Sequence, residues 1–162
     1  MLKLNLRSLL ITTLVLSLMS CGFHLRGAAD ISFNSIFIQG NTLVISKKLS
    51  KSLLSNDVKI LPNAEGADLM LELIGEESEK RILSIGGQGT VNEFELYYRV
   101  HYRLKQAGAA LWTQTQTVES RRDFTYSDAN LLAKQREESR LNDDMQADVV
   151  RGIMRRLSAL KK

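Results

Sequence analysis

Glu93-Phe94-Glu95-Leu96-Tyr97-Tyr98-Arg99-Val100-His101-Tyr102-Arg103-Leu104-Lys105 alternates with a period of two. Phe94, Leu96, Tyr98, Val100, Tyr102 and Leu104 fall on one side, and Glu93, Glu95, Tyr97, Arg99, His101, Arg103 and Lys105 on the other. Successive strand side chains point to opposite faces, so one face wants a core and the other wants water. That is the pattern of an antiparallel strand covered on one side only. Toward the N-terminus, Gly86-Gly87-Gln88-Gly89 reads as a turn, and before it Leu69, Leu71 and Leu73 share a strand face. The run Glu76 to Arg81 has no apolar member and is expected to be a solvated length of strand protruding beyond the core. Toward the C-terminus, Ala107-Gly108 turns the chain into a further strand from Ala110 to about Phe124, where Thr113, Thr115 and Thr117 suit a pleated surface.

Helical periods flank these strands. Ile45, Leu49 and Leu53 recur four apart, with Lys47, Lys48 and Lys51 off the stripe. Asn41 or Thr42 is the expected N-cap, and Asn56-Asp57 ends that helix because Asn tolerates the left-handed conformation. Before the helix, Ser35 to Gln39 is a short strand. After it, Val58 to Leu61 is an edge strand or extended segment closed by Pro62, the only proline. At the other end, Leu141, Met145, Val149, Ile153, Leu157 and Leu160 form the buried stripe of a long helix, widened by Val150 and Met154 and capped by Ser127 or Asp128. Lys161 and Lys162 complement its negative end. The order of elements implies an α+β fold, two α-helices packed on one face of a mostly antiparallel four-stranded β-sheet.

The chain has 162 residues, 44% hydrophobic and 25% charged, which fits one ordinary globular domain. A single cysteine excludes a disulfide framework or a cysteine-rich zinc module, and two histidines leave little for a metal centre. The formal net charge of +4, part of it carried by Lys3 and Arg7, is no electrostatic footprint for nucleic acid. The glycine run at residues 86–89 lacks the lysine of a P-loop and does not open a helix. His101 sits among charged strand neighbours, and Glu93 and Glu95 fit a solvated face as well as an acid/base pair. No catalytic, cofactor or metal residue is expected, and the chain is not read as an enzyme.

Lys3 and Arg7 precede an apolar run from Leu9 to Met19, too short at 1.5 Å per residue for a bilayer core of about 30 Å. The run ends in Leu18-Met19-Ser20-Cys21, which resembles the lipobox of bacterial lipoproteins. The expected layout is a cleaved leader at 1–20, a lipidated N-terminus and tether at 21–34, and a single domain at 35–162. Cys21 would then carry an S-diacylglycerol and an N-acyl chain, and several chains anchor firmly where one does not. Gly22 following the cysteine points to sorting to the outer membrane.

Two features remain. Gly22-Phe23-His24-Leu25-Arg26-Gly27 is too apolar and aromatic for a plain spacer. Arg121, Arg122, Lys134, Arg136 and Arg140 concentrate positive charge around the entry of the last helix, partly balanced by Asp123, Glu137 and Glu138.

Cys21 through Gly27 directly after a lipobox resembles the LptE family of lipopolysaccharide-assembly lipoproteins, and the order of elements is similar along the whole chain. The resemblance implies two helices on a four-stranded sheet, sitting as a plug in the lumen of the LptD β-barrel, helping that barrel assemble and binding lipopolysaccharide. It implies a cell outer membrane location, lipid-anchored and periplasm-facing. Lys134 aligns with a lysine that the family uses toward lipopolysaccharide. A basic residue that the family can place in the sheet turn is replaced by Gly86 and Gly87, so Arg81 or Arg121 is the expected substitute. The lipopolysaccharide-binding candidates are therefore Lys134, Arg121, Arg122, Arg136 and Arg81. The alternative is a periplasmic lipid-carrier lipoprotein with an apolar cavity, which would need large apolar residues lining a pocket.

Overall fold

The alternation around Val100 becomes β4 (Val91–Gln106) in a computed structural model that describes residues 31–160. The leader, Cys21, the motif at residues 22–27 and Lys161-Lys162 lie outside the described residues. Leu96, Tyr98, Val100, Tyr102 and Leu104 are buried as the pattern requires. β4 pairs antiparallel with β3 (Leu69–Ile85) on one side and β5 (Gln116–Thr125) on the other. The glycine run is the turn between β3 and β4: the Gly86 amide donates to Thr90 O at 2.7 Å, and Gly89 takes φ 76°.

The sheet has five strands, in the order β2 (Lys59–Leu61), β1 (Ser35–Gly40), β3, β4, β5, and it is mixed, which corrects the expected four-stranded, mostly antiparallel sheet. β1 lies parallel to both β3 and the three-residue β2, the fifth strand. The cause is α1 (Ser46–Leu54), a crossover helix that returns the chain in its original direction, as adjacent parallel strands require. The loop at 62–68 then passes beneath the start of β1. Asp68 pins it there, one carboxylate oxygen accepting the Asn34 and Ser35 amides and the Ser35 hydroxyl, each at 2.9 Å.

Local expectations shift at the element ends. Asn41 does not cap α1; its amide donates to Leu73 O at 2.9 Å and its Nδ2 to Ile74 O at 2.5 Å, both on β3. Thr42 lies four residues ahead of the helix; instead the Ser46 hydroxyl accepts the Leu43 amide at 2.9 Å. The left-handed residue after α1 is Asp57, at φ 60°, not Asn56, whose side-chain amide donates to Ser52 O. β5 starts at Gln116 rather than at Ala110 because Thr113 satisfies the end of β4 from a loop: its amide donates to Leu104 O and its hydroxyl accepts the Leu104 amide. α2 (Leu131–Ser158) follows a single 3-10 turn at Asp128–Asn130. Neither Ser127, which flanks that turn, nor Asn130, which flanks the helix, makes a side-chain cap bond. Leu160 lies just beyond the helix, half-buried.

Both helices cover one face of the sheet. Ile36, Ile45, Leu49, Leu53, Leu69, Leu71 and Leu73 meet Met145, Val149, Ile153 and Leu157 in one core. A β-carbon on Gly152 would stand 2.6 Å from Val118 Cγ1, so the missing side chain lets α2 lie directly on β5. Phe33 is buried and the Ser32 hydroxyl donates to Leu160 O at 2.7 Å, so the packed body reaches back to residue 31, ahead of the expected boundary at 35.

β3 changes sides partway along. Leu73 pairs with Tyr102, Gly75 with His101 and Glu76 with Val100, a bulge that consumes one extra residue. Before it the odd-numbered residues of β3 face the helices; from Glu76 to Ile82 the even-numbered ones do, until a second irregularity sets Ser84 opposite Glu93. Glu76 therefore turns inward, accepting the Tyr98 hydroxyl at 2.5 Å and the Val44 amide at 2.8 Å. Burial and that bond to a carboxylate both push the Tyr98 hydroxyl up, keeping it a neutral donor.

Candidate site at the helix entry

The bulge also carries Lys80, still exposed as expected of the run Glu76 to Arg81, to the helix side. Its Nζ lies 4.2 Å from the Phe94 ring centroid, with Phe124 and Tyr126 within 5.9 Å, and 2.6 Å from Glu138 Oε2 on α2. Such placement of an ammonium over aromatic faces is a cation–π arrangement. Phe94 stacks on Phe124 and meets Tyr126 edge-on, which fixes the floor beneath the lysine. One helical turn ahead of Glu138 stands Lys134, its side chain only 18% exposed, donating to Thr125 Oγ1 at 3.2 Å and to Glu137 Oε2 at 2.9 Å. Two ammonium groups on different elements thus pair with neighbouring carboxylates of α2, Lys80 with Glu138 and Lys134 with Glu137. Sequence reading missed Lys80; the available signal was Gly75, since a glycine inside a strand pattern marks a bulge.

Of the other expected cations, two lie on the far side of the sheet. Arg81 and Arg121 lie on the opposite, helix-free face of the sheet. Arg81 grips Glu79 through Nε at 2.6 Å and Nη2 at 2.7 Å, and Arg121 Nη1 meets Glu95 at 3.1 Å. Arg122 is held against α2 by Asp148 and also donates to Arg121 O. Arg136 is exposed on α2, and Arg140 reaches Asp144 only at 3.9 Å.

The helix-free face is a lattice of alternating charge across three strands. Arg103 meets Glu72; Arg99 lies between Glu79 at 3.2 Å and Glu119 on the far strand; His101 contacts Thr117 and Glu77. Arg81 and Arg99 flank the Tyr97 ring, each 4.7 Å from its centroid. The hydrogen bond from Arg103 holds Glu72 below its usual range, and that from Arg81 does the same for Glu79. Asp148 is lowered too: burial opposes its charge, but the bonds from Arg122 and Arg151 outweigh it. A carboxylate depressed in the folded state contributes stability above its unfolded pKa and loses it as pH falls through the folded value. The urea midpoint is therefore expected to hold from pH 7 to about 5 and to drop below about 4.5, the ordinary glutamate value. Arg103→Leu should flatten that acid decline, as denaturant titrations at stepped pH will show.

Other chemistry finds little footing. Among the described residues, no group of three or more His, Cys, Asp or Glu is disposed to hold a metal ion, and no helix is long and apolar enough to cross a membrane. A cavity of about 240 Å³ beside Ser32, Phe33, Asp68, Gln106 and Leu160 mixes polar and apolar walls. Two further cavities, of about 310 Å³ beside Glu72, Ile74 and Arg103 and about 360 Å³ beside Arg136, Glu137, Arg140 and Leu141, are likewise lined by both polar and apolar groups.

Comparison with known proteins gives three concordant findings. Residues 33–157 match the LptE family model, described as lipopolysaccharide-assembly. The LPS-assembly lipoprotein LptE of Photorhabdus laumondii is 25% identical over 154 residues, covering 93% of this chain and 84% of that one. Among solved structures, the uncharacterized lipoprotein B of Nitrosomonas europaea is similar at 36% identity and TM-score 0.71, covering 85% of this chain and 91% of its own. The rare lipoprotein B of Shewanella oneidensis is similar at 26% identity and TM-score 0.70, covering 78% and 95% respectively.

Proposed function

The chain belongs to the LptE family of lipopolysaccharide-assembly proteins, and from that premise we propose that it is an outer-membrane lipoprotein that binds lipopolysaccharide and plugs the LptD barrel. Cys21 bears the lipid anchor in this reading, and residues 22–27 lead from it to the folded body. No cofactor takes part beyond the covalent lipid, and the role is not enzymatic.

The observation that carries the ligand assignment is that Lys80 and Lys134, from a strand and a helix, pair with the neighbouring Glu138 and Glu137 near the entry of α2. Lipopolysaccharide presents phosphates beside its acyl chains, and ammonium groups meet phosphate through charge-assisted hydrogen bonds. Lys134 is three-quarters sheltered or more, so a phosphate there faces less competition from water than at an open surface cation. Arg81 and Arg121 lie on the far face of the sheet and are left out of this ligand site. The charge lattice on that face supports the plug reading, because barrel lumens are lined by polar groups and water.

Lys134→Asp is expected to weaken lipopolysaccharide binding tenfold or more, since it removes one donor and sets a carboxylate beside Glu137. Arg81→Asp should leave binding unchanged. Titration of labelled lipopolysaccharide onto both variants decides it; equal losses, or none for Lys134→Asp, would refute the site. Extraction in mild detergent should bring down a large β-barrel protein with the chain, and recovery of the chain alone with bound lipid would favour the carrier alternative.

A further inference from the structure

The end of the molecule that holds the two lysines is also its greasy end. Ile82, Leu83 and Ile85 at the tip of β3 are 54%, 47% and 62% exposed, and Leu131 and Leu132 at the start of α2 are 46% and 72% exposed. The ties from Lys80 to Glu138 and from Lys134 to Thr125 bring the start of α2 to the tip half of the hairpin, while Leu160 lies at the far end beside Ser32. Soluble domains seldom leave several large apolar side chains open at one end unless something covers them.

Both elements set out the same order. On β3, Lys80 lies inboard, and Ile82, whose register partner is Phe94 on the helix side, follows about 7 Å farther toward the tip. On α2, Lys134 lies inboard, and Leu132 and Leu131 lie about 3–5 Å nearer the tip. Across Lys80 and the first ten residues of α2, Lys80, Lys134, Arg136 and Arg140 outnumber Glu137 and Glu138. Cations inboard and apolar groups outboard, repeated on a strand and a helix, match an anionic amphiphile lying with its headgroup over the lysines and its tails over the tip.

We propose that Ile82, Leu83, Ile85, Leu131 and Leu132 seat the acyl chains of lipopolysaccharide, so that the site reads both ends of the ligand. This rests on the lipopolysaccharide reading given above. The two parts separate chemically: the phosphates engage Lys80 and Lys134, and the fatty acyl groups engage the tip.

The test uses the full chain in an amphipol belt and two probes, intact lipopolysaccharide and lipopolysaccharide stripped of its acyl chains. The double variant Ile85→Ser, Leu132→Ser alters only exposed positions, and an unchanged urea midpoint will verify its fold. Leu111→Ser, 82% exposed in the loop at the opposite end, controls for lost surface hydrophobicity. The double variant should bind intact lipopolysaccharide at least tenfold more weakly and the deacylated probe as the unaltered chain does, with Leu111→Ser normal toward both. If the double variant binds intact lipopolysaccharide normally while Lys134→Asp still weakens it, the acyl seat is overturned and the phosphate site stands. If the double variant keeps its lipopolysaccharide affinity but loses the co-purifying barrel, the tip is a protein contact and the proposal likewise fails. An unaltered chain that binds neither probe removes both readings together.

Discussion

Gly40→Ala is expected to lower the stability of the chain by more than about 3 kcal/mol, a large part of the 5–15 kcal/mol that holds a domain folded. Gly40 ends β1 at φ 96°, and a β-carbon there would stand 2.2 Å from Leu73 O and 3.0 Å from Leu73 N. Two costs combine. A non-glycine residue at positive φ costs about 1–3 kcal/mol, and the clash with a backbone carbonyl cannot be relieved by turning a side chain. Moving the carbonyl breaks its hydrogen bond from the Asn41 amide and opens the parallel pairing of β1 with β3. Gly66→Ala isolates the first cost: Gly66 has φ 76°, and a β-carbon there meets nothing within 4 Å. Urea titration of both variants should show Gly40→Ala far the weaker. Equal losses would mean that the approach to Leu73 carries none of the effect.

Leu71→Ala should cost about 2–5 kcal/mol, the range for emptying a leucine site in a packed core. Leu71 is fully buried, opposite Ile38 on β1 and Leu104 on β4, at the centre of the sheet beneath the helices. Neither neighbouring strand can close over the gap without breaking its own ladder. The urea midpoint should fall with an unchanged slope, because the same surface is exposed on unfolding. Leu83→Ala, at a half-exposed tip position, should change stability by less than about 0.5 kcal/mol.

The faces of β4 and α2 were legible in the sequence because each repeats one period without interruption, from Leu96 to Leu104 and from Met145 to Leu157. The two helices on one sheet face followed from those stripes. The parallel pairing of β1 with β2 and β3 was not legible, because the strand at Lys59–Leu61 is only three residues long and its partner is set by a crossover. Thr113 reads as strand by propensity, yet its hydroxyl closes the end of β4 from a loop. Within the proposed site, Lys134 stood out by its resemblance to a family position, whereas Arg81 was named and Lys80 passed over. Arg81 was chosen for its place near a strand end, and one extra residue between Leu73 and Gly75 puts Lys80, not Arg81, on the helix side.

That extra residue has a consequence for reading distant relatives. At identities near 25%, residues are matched by counting along strands, and a gap placed anywhere but at the bulge exchanges the inward and outward columns of the stretch from Glu76 to Ile82. Arginine would then be matched to lysine from the opposite side, an apparently conservative replacement joining two positions that never share a neighbour. Superposing backbones first, and only then comparing letters, keeps the columns apart.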